Sequence, residues 1–254
     1  MSENENQKVD HHLKSRRTFL KNSGLTVGGI VLGGAVANLL GVNTGGSSEH
    51  VHTSPQEPVS YPNEALMFFT MDQYRLTAAA AERIFPKDEL GPGAIELNVA
   101  IYIDHQLASP WGANVKDYMQ GPFYSPDQLQ GTQLRLLRKD LFLLGLEGLD
   151  KYSNKKFKKN FIELEVNEQD EVLTDFESGE KYKLSGISSS HFFSMLRTLT
   201  IEGAYADPLY GGNKEMKGWK MRKYPGSYMS YTNDIQSNSF VEKKPQSLNS
   251  HMGH

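Results

Sequence analysis

Apolar residues recur at helical spacing along the chain, and local signals mark where the helices begin and end. Thr70 and Gln73 form a capping box, in which the hydroxyl and amide groups satisfy early helical amides. Pro86 ends the helix that follows. The residues predicted to be buried in this first helix are Tyr74, Ala78, Ala81 and Phe85.

Two more helices are predicted between residues 94 and 150. A turn at residues 91–93 precedes the second helix, and Pro110 ends it. Its apolar stripe consists of Leu97, Ala100, Ile101 and Leu107. Ser125 and Pro126 are typical of the cap and first turn of a third helix. The predicted buried face of that helix consists of Leu129, Leu136, Leu137, Leu141 and Leu144.

The pattern then changes to shorter apolar stripes within a charged region. One or two short helices are predicted from Phe157, Phe161, Leu164, Val172 and Leu173. A last clear helix, ending near Gly203, is predicted from Phe192, Met195, Leu196 and Leu199. Strand-like alternation is scarce, and residues 181–184 form a short candidate. We therefore predict a mainly α fold, a single domain of five to six helices with long structured loops.

Composition narrows the possible functions. The chain has 254 residues, a formal net charge of −3 and no cysteine, and its pI is about 6.2. A nucleic-acid partner would require a basic face for phosphates, so we exclude one. The absence of cysteine excludes disulfides, cysteine-ligated iron–sulfur clusters and thiol nucleophiles.

The first 42 residues carry the features of a twin-arginine export signal. The arginine pair is followed by the apolar residues that such signals prefer. An uncharged stretch comes next, and its glycines make it only weakly apolar. The signal positions are Arg16, Arg17, Phe19 and Leu20. Small residues at 35–37 fit a cleavage site, although the leucines after them leave a retained anchor open. The expected location is the periplasm or the outer face of the cytoplasmic membrane.

The twin-arginine route exports folded proteins, and its usual reason is a cofactor inserted before export. The glycines at residues 28–34 lack the preceding strand and the spaced acidic residue of a nucleotide-binding loop. No cofactor motif follows residue 40. The need for folded export is therefore expected to belong to a partner that this chain accompanies.

The rest of the chain divides by composition. Residues 43–62 are rich in Ser, Gly, Pro and Thr and are predicted to be a linker. Residues 63–230 carry the helices, and residues 231–254 are rich in Ser, Asn and Lys, which predicts a disordered tail. Glycine, proline and aromatic residues concentrate in residues 202–226, which we name the glycine-rich segment. Such a composition suits a shaped recognition loop.

Two blocks of sequence together are distinctive. The first block comprises Ile84, Phe85, Pro86, Lys87, Asp88, Gly91, Pro92, Gly93, Ala94, Ile103 and Asp104. The second lies in the glycine-rich segment and comprises Glu202, Gly203, Ala204, Tyr205, Ala206, Asp207, Pro208, Leu209, Tyr210, Gly211, Gly212, Asn213, Gly218, Trp219 and Lys220.

With these two blocks the chain resembles the gluconate 2-dehydrogenase subunit 3 family, the small subunit of membrane-associated bacterial sugar and sugar-acid dehydrogenase complexes. The resemblance implies a large FAD-dependent dehydrogenase partner and often a multihaem cytochrome c subunit that anchors the assembly. It implies no cofactor in this chain. A lysine-rich stretch at residues 151–159 and the tail beyond residue 231 depart from the family pattern.

Catalysis or metal binding by this chain itself is the less favoured interpretation. His105 and His191 are too few for a metal site, and each is more often an ordinary hydrogen-bonded histidine. Glu202 and Asp207 are explained by capping and loop hydrogen bonds as well as by acid–base chemistry. We therefore expect no catalytic, cofactor-binding or metal-binding residue here.

Three functional hypotheses remain. The first is a non-catalytic subunit that stabilises the flavoprotein and escorts it through the twin-arginine translocase. The second is a stand-alone exported enzyme or sugar-binding protein that uses Glu202, Asp207 and Trp219. The third is a purely structural envelope protein with the same fold. Tyrosine and tryptophan side chains in the glycine-rich segment fit a partner surface, a small-molecule groove or internal packing.

Overall fold

The computed structural model of the chain describes residues 64–124 and 133–252. These residues form the α-helices α1 (Met71–Ile84), α2 (Val99–Ala108), α3 (Arg138–Phe157), α4 (Val166–Ser178), α5 (Ser189–Tyr205) and α6 (Lys217–Arg222). A small antiparallel hairpin consists of β1 (Lys183–Leu184) and β2 (Ile187–Ser188). Single 3-10 turns lie at Phe161–Glu163, Pro208–Tyr210, Lys214–Met216 and Leu248–His251. The predicted mainly α fold is confirmed, whereas the export signal and the linker lie outside the described residues.

The first helix begins as its sequence predicts. The Thr70 hydroxyl accepts a hydrogen bond from the Gln73 amide at 3.3 Å, and the Gln73 side chain accepts one from the Thr70 amide at 2.9 Å. The buried face of α1 is turned relative to the prediction, since Tyr74 and Ala78 are only half-buried. The buried residues include Leu76, Ala80, Ala81 and Ile84. Contacts of α1 with α2, α3, α4 and α5 widen this face beyond a single stripe.

The centre of the fold is α5, which packs against each of the helices α1 to α4. Its Phe192 is fully buried, and its ring meets the ring of Phe142 of α3 edge to face at 5.2 Å. The ring of Phe176 of α4 also meets the Phe192 ring edge to face, with centroids 6.2 Å apart. Edge-to-face aromatic pairs add stabilisation beyond that of the buried area. The core therefore joins helices that are distant in the sequence.

The start of α3 differs from the sequence prediction. We expected the helix to begin at residue 126, but residues 133–137 are not helical and α3 begins at Arg138. The Arg138 amide donates to the Asn114 side chain at 2.8 Å. A residue from another part of the chain thus satisfies an early amide of the helix. Leu136 and Leu137 precede the helix, Leu144 is half-buried, and the buried apolar residues are Leu141, Phe142, Leu146 and Leu149.

The later elements follow the prediction more closely. The charged region contains the Phe161–Glu163 turn and α4, and α5 extends past the expected end near Gly203 to Tyr205. The strand candidate at residues 181–184 contributes β1. The short helix α6 was not predicted. No helix of residues 64–124 and 133–252 has the length and apolar character needed to cross a membrane.

Candidate functional site

The structure brings the two distinctive sequence blocks together. The Leu97 carbonyl accepts a hydrogen bond from the Lys214 amide at 3.2 Å. The rings of Phe85 and Tyr205 meet edge to face, with centroids 5.8 Å apart. These contacts link the region between α1 and α2 to the glycine-rich segment. The two blocks are therefore parts of a single structural unit.

A buried asparagine organises the glycine-rich segment. Asn213 is fully buried and adopts a left-handed backbone conformation with φ of 47°. Its side-chain nitrogen donates to the Ala206 carbonyl at 2.8 Å, and its side-chain oxygen accepts from the Gly218 amide at 2.8 Å. Asparagine tolerates this conformation better than most residues. One side chain thus connects the end of α5 to the start of α6.

Glycines allow close backbone contacts within this segment. Gly211 has φ of 95°, a conformation that disfavours other residues. A Cβ atom at Gly212 would overlap the carbonyl oxygen of Gly203, and one at Gly218 would overlap the carbonyl oxygen of Ala204. The segment therefore lies directly against the backbone of α5, where no side chain could intervene.

The aromatic residues of the segment divide into buried and exposed groups. Trp219 is only 6% exposed, and its indole nitrogen donates to the Tyr205 carbonyl at 2.7 Å. Tyr224 packs edge to face against Trp219 but is 50% exposed, and Tyr210 is 49% exposed. Trp219 thus packs the segment internally, whereas Tyr210 and Tyr224 present apolar surface to solvent.

The two candidate carboxylates both have hydrogen-bond partners. Asp207 accepts from the Leu209 amide at 3.0 Å and, through its other oxygen, from the Leu248 amide at 2.8 Å. The first of these bonds caps the Pro208–Tyr210 turn. Glu202 is exposed and accepts from the Tyr102 hydroxyl at 3.2 Å. Burial and the adjacent Glu202 carboxylate raise the pKa of the Tyr102 phenol, and the protonated hydroxyl is the donor in this hydrogen bond.

The turn at residues 91–93 lies beside the glycine-rich segment. Asp88 and Gly91 exchange backbone hydrogen bonds of 3.1 and 3.2 Å. A Cβ atom at Gly91 would lie 2.9 Å from the sulfur of Met221 in α6. After the turn, Ile95 donates its amide to Glu82 of α1 at 2.8 Å. The turn, with Pro92 and Gly93, therefore lies against α6, which is part of the glycine-rich segment.

Comparison with known proteins identifies the family. The sequence profile described as Gluconate 2-dehydrogenase subunit 3 matches residues 71–226. The chain belongs to this family. The match begins at the first residue of α1 and ends at the last glycine of the glycine-rich segment, so it covers both blocks. No curated protein and no solved structure matches the chain.

A short segment before the family region is fixed to it by polar contacts. Asp104 of α2 is fully buried and accepts hydrogen bonds from the amides of Met67 and Phe69, both at 2.6 Å. Glu64 pairs with Lys214 of the glycine-rich segment at 2.7 Å. The Lys214 ammonium, by hydrogen bonding, lowers the pKa of the Glu64 carboxyl. The chain therefore enters the family region beside the glycine-rich segment.

A segment after the family region also contacts it, which the sequence did not predict. The expected tail, residues 231–254, has little regular structure through residue 252. Nevertheless the Ser227 amide donates to the Gln246 carbonyl at 2.7 Å, and the Gln246 amide donates to the Pro225 carbonyl at 3.0 Å. Together with the Leu248 bond to Asp207, these contacts differ from the expectation of a disordered tail. Backbone groups at residues 225–227 and the Asp207 side chain provide the partners, which composition alone does not reveal.

The two histidines considered as metal ligands lie in ordinary surroundings. His105 is within hydrogen-bond distance of the Ala65 carbonyl, 3.1 Å from its ring nitrogen. His191 is half-buried in the first turn of α5, and this burial lowers the pKa of its imidazole. Within residues 64–124 and 133–252, no cluster of three histidine or acidic side chains could hold a metal ion.

A separate cleft of about 700 Å³ lies between α5 and the chain after α2. Its lining includes Trp111, Arg138, His191 and Thr198. The Arg138 guanidinium lies over the Trp111 ring, 4.8 Å from its centroid, and pairs with Asp117 at 2.8 Å. These residues were not among the predicted site residues. The sequence offers one signal for this cleft, a tryptophan, Trp111, directly after the helix-ending Pro110.

Proposed function

We propose that this protein is the non-catalytic small subunit of an exported flavin-dependent sugar or sugar-acid dehydrogenase complex. Membership of the gluconate 2-dehydrogenase subunit 3 family supports a role as an accessory subunit beside a dehydrogenase. In this proposal FAD is held by the large partner subunit. A cytochrome c subunit with haem completes the chain of electron transfer.

The construction of the glycine-rich segment is the observation that carries this proposal. Asn213 and Trp219 direct their polar atoms inward to backbone groups of the same segment. Tyr210 and Tyr224 remain about half-exposed at its surface. Rigid aromatic residues on a preorganised backbone lose little entropy when they bind a protein, and aromatic residues are enriched at protein interfaces. The segment is therefore suited to bind the large subunit.

The carboxylates favour binding over catalysis. Both oxygens of Asp207 accept backbone amides, so this carboxylate holds the turn at Pro208–Tyr210 and the chain at Leu248 in place. Glu202 bonds Tyr102, whose raised pKa keeps it a hydrogen-bond donor. Both carboxylates thus make hydrogen bonds within the fold, and this supports an accessory role for the chain.

Purification of the tagged mature protein from its native cell tests the proposal. We expect a large second chain with a flavin absorption spectrum to co-purify, identified by mass spectrometry. Replacing both exposed tyrosines, Tyr210→Ser and Tyr224→Ser, should reduce its recovery at least severalfold. Tyr118→Ser is the matched control, because Tyr118 is 80% exposed but lies outside the glycine-rich segment. A solitary, colourless protein that binds or turns over a sugar would instead support a stand-alone function of the Glu202 and Asp207 region.

Escort through the twin-arginine translocase is a separate part of the proposal. It is supported by the paired arginines in a chain without a recognisable cofactor motif. Changing Arg16 and Arg17 to Lys should leave both proteins in the cytoplasm, which cell fractionation measures. Normal appearance of the flavoprotein outside the cytoplasm would contradict the escort role. The corresponding change of Lys14 and Lys21 to Arg keeps the charge and the arginine pair, and serves as the control.

A further inference from the structure

The cleft beside Trp111 has the size of a small-molecule site. Its volume of about 700 Å³ lies within the range of roughly 300–1,000 Å³ that is typical of such sites. One wall is the chain after α2 and includes Trp111, which is 37% exposed, and the other wall is α5. None of the described lining residues belongs to residues 202–226. The cleft is therefore separate from the glycine-rich segment.

A row of hydrogen-bonding side chains on α5 lines the cleft. His191, Ser194 and Thr198 occupy positions i, i+3 and i+7, which lie along one face of a helix. Met195 and Leu199 line the cleft beside them and add apolar surface. No hydrogen bond joins the three polar side chains to another residue among residues 64–124 and 133–252. Their polar groups are thus open to a ligand along roughly 10 Å of the helix, at 1.5 Å per residue.

The charged groups of the cleft are already paired. Asp117 and Arg138 carry the charges among its described lining residues, and they form an ion pair at 2.8 Å. Asp117 also accepts from the Asn114 side chain at 3.0 Å, and Arg138 donates to the Trp111 carbonyl at 3.1 Å. Burial lowers the pKa of the His191 imidazole, which is therefore uncharged at neutral pH. A charged ligand would lose hydration here without gaining a free counter-ion, so the cleft favours an uncharged ligand.

The walls differ in a way that suits a ring with hydroxyl groups at its edge. Trp111 offers flat apolar surface, and the Arg138 guanidinium 4.8 Å from its ring centroid holds the indole in place. A sugar ring presents C–H groups on its faces and hydroxyl groups around its edge, so it can contact both walls at once. A neutral quinone has two carbonyl acceptors and would leave part of the polar row on α5 unpaired. The lining therefore favours a sugar.

We propose that this cleft binds an uncharged sugar of one or two rings, which lies against Trp111 and hydrogen-bonds to Ser194 and Thr198. A sugar acid is bound more weakly, because Arg138 is already paired with Asp117 and does not meet its carboxylate. The inference goes beyond the proposed function and does not depend on it, since the cleft is formed by residues of this chain and is tested without a partner.

Calorimetric titration of the free mature protein tests the inference, with glucose, galactose, fructose and maltose as the neutral probes. We expect saturable binding of a neutral sugar that gluconate does not show at the same concentration. Ser194→Ala combined with Thr198→Val removes two hydroxyl groups with little change in shape. The double variant should raise Kd roughly tenfold, the effect of losing two neutral hydrogen bonds.

A matched control and a folding check accompany the double variant. Thr174→Val removes an exposed hydroxyl of α4 outside the cleft and should leave Kd unchanged. Thermal melting of the double variant should match that of the wild type, since Ser194 and Thr198 are exposed. A lower melting temperature would call for the single variants, each of which should raise Kd by roughly threefold.

The outcomes separate this inference from the proposed function. No saturable binding of any of the four sugars would overturn it, as would gluconate binding as tightly as the neutral sugars. A wild-type Kd in the double variant would also overturn it. Glu202→Gln should leave Kd unchanged, and loss of sugar binding in that variant alone would place the sugar at the glycine-rich segment instead. Failure of a flavoprotein to co-purify would contradict the proposed function and leave this titration unaffected.

Discussion

The helical body and the glycine-rich segment are stabilised in different ways. In the body, α5 is surrounded by four helices whose apolar side chains exclude water from the core. In the segment, Asn213, Asp207 and Trp219 direct polar atoms to backbone groups, and several residues adopt left-handed conformations. Apolar packing tolerates substitutions that conserve volume. Buried hydrogen bonds depend on particular donor and acceptor atoms. The segment should therefore be destabilised more than the body by substitutions that keep the volume of a side chain but remove its hydrogen-bonding groups.

The two regions are therefore expected to have different roles: the helical body determines the stability of the domain, and the glycine-rich segment provides the binding surface. Changes in the body should unfold the whole domain, whereas changes in the segment should disturb a local surface. Opening of a protein occurs in cooperative units with different free energies, and binding regions are often among the less stable ones. Four variants, ordered by expected effect, test whether the two regions behave as distinct units.

The largest effect is expected from Phe192→Ala in the centre of the body. Phe192 is fully buried, and its ring contacts the rings of Phe142 and Phe176. Truncation leaves a cavity and should lower the free energy of unfolding by about 3–5 kcal/mol. Chemical denaturation measures the change. Phe240→Ala, at a residue that is 92% exposed, is the control and should change stability by less than about 0.5 kcal/mol.

The next effect is expected from Asn213→Ala in the segment. The change leaves the buried Gly218 amide and the half-buried Ala206 carbonyl without their side-chain partner, which should cost about 1–3 kcal/mol in total. Hydrogen exchange should accelerate at residues 206–218 and remain unchanged in α4. Equal acceleration in both regions would show that they form one cooperative unit. Asn154→Ala, at an exposed residue of α3, is the control.

A smaller effect is expected from Trp219→Phe. The substitution keeps most of the aromatic packing but removes the indole donor to the Tyr205 carbonyl. Thermal and chemical unfolding should show a loss of about 1–2 kcal/mol. Trp111→Phe, at an indole that is 37% exposed outside the segment, is the control for fluorescence and for loss of a tryptophan. No change in stability would mean that this hydrogen bond contributes little to the segment.

The smallest effect is expected from Glu64→Gln, which tests the attachment of the preceding segment. The pKa of Glu64 is lowered by Lys214, so its contribution is fully present above the ordinary value of 4.5 and is lost as pH falls through the lower folded value. Both groups are partly exposed, so the loss should stay below about 1 kcal/mol. Urea unfolding compares the variant with the wild type across this pH range. The two should converge at low pH, and a constant difference would contradict this titration.

The sequence revealed the features that depend on nearby residues. The capping box at Thr70 and the stripe of α5 are local patterns, and both are present. The start of α3 could not be predicted, because its early amide is satisfied by Asn114 from a distant part of the chain. The same holds for the tail contacts of Leu248 with Asp207. Among the site residues, the sequence located the glycine-rich segment but not the division between the buried Trp219 and the exposed tyrosines.

The central claim is that the glycine-rich segment binds the large flavoprotein subunit. Hydrogen exchange measured by mass spectrometry, on the mature protein alone and in the purified complex, tests it most directly. We expect slower exchange in residues 202–226 on complex formation, with exposed positions of α4 (Val166–Ser178) unchanged. Protection confined to α4 or to the cleft beside Trp111, with no change in the glycine-rich segment, would contradict it.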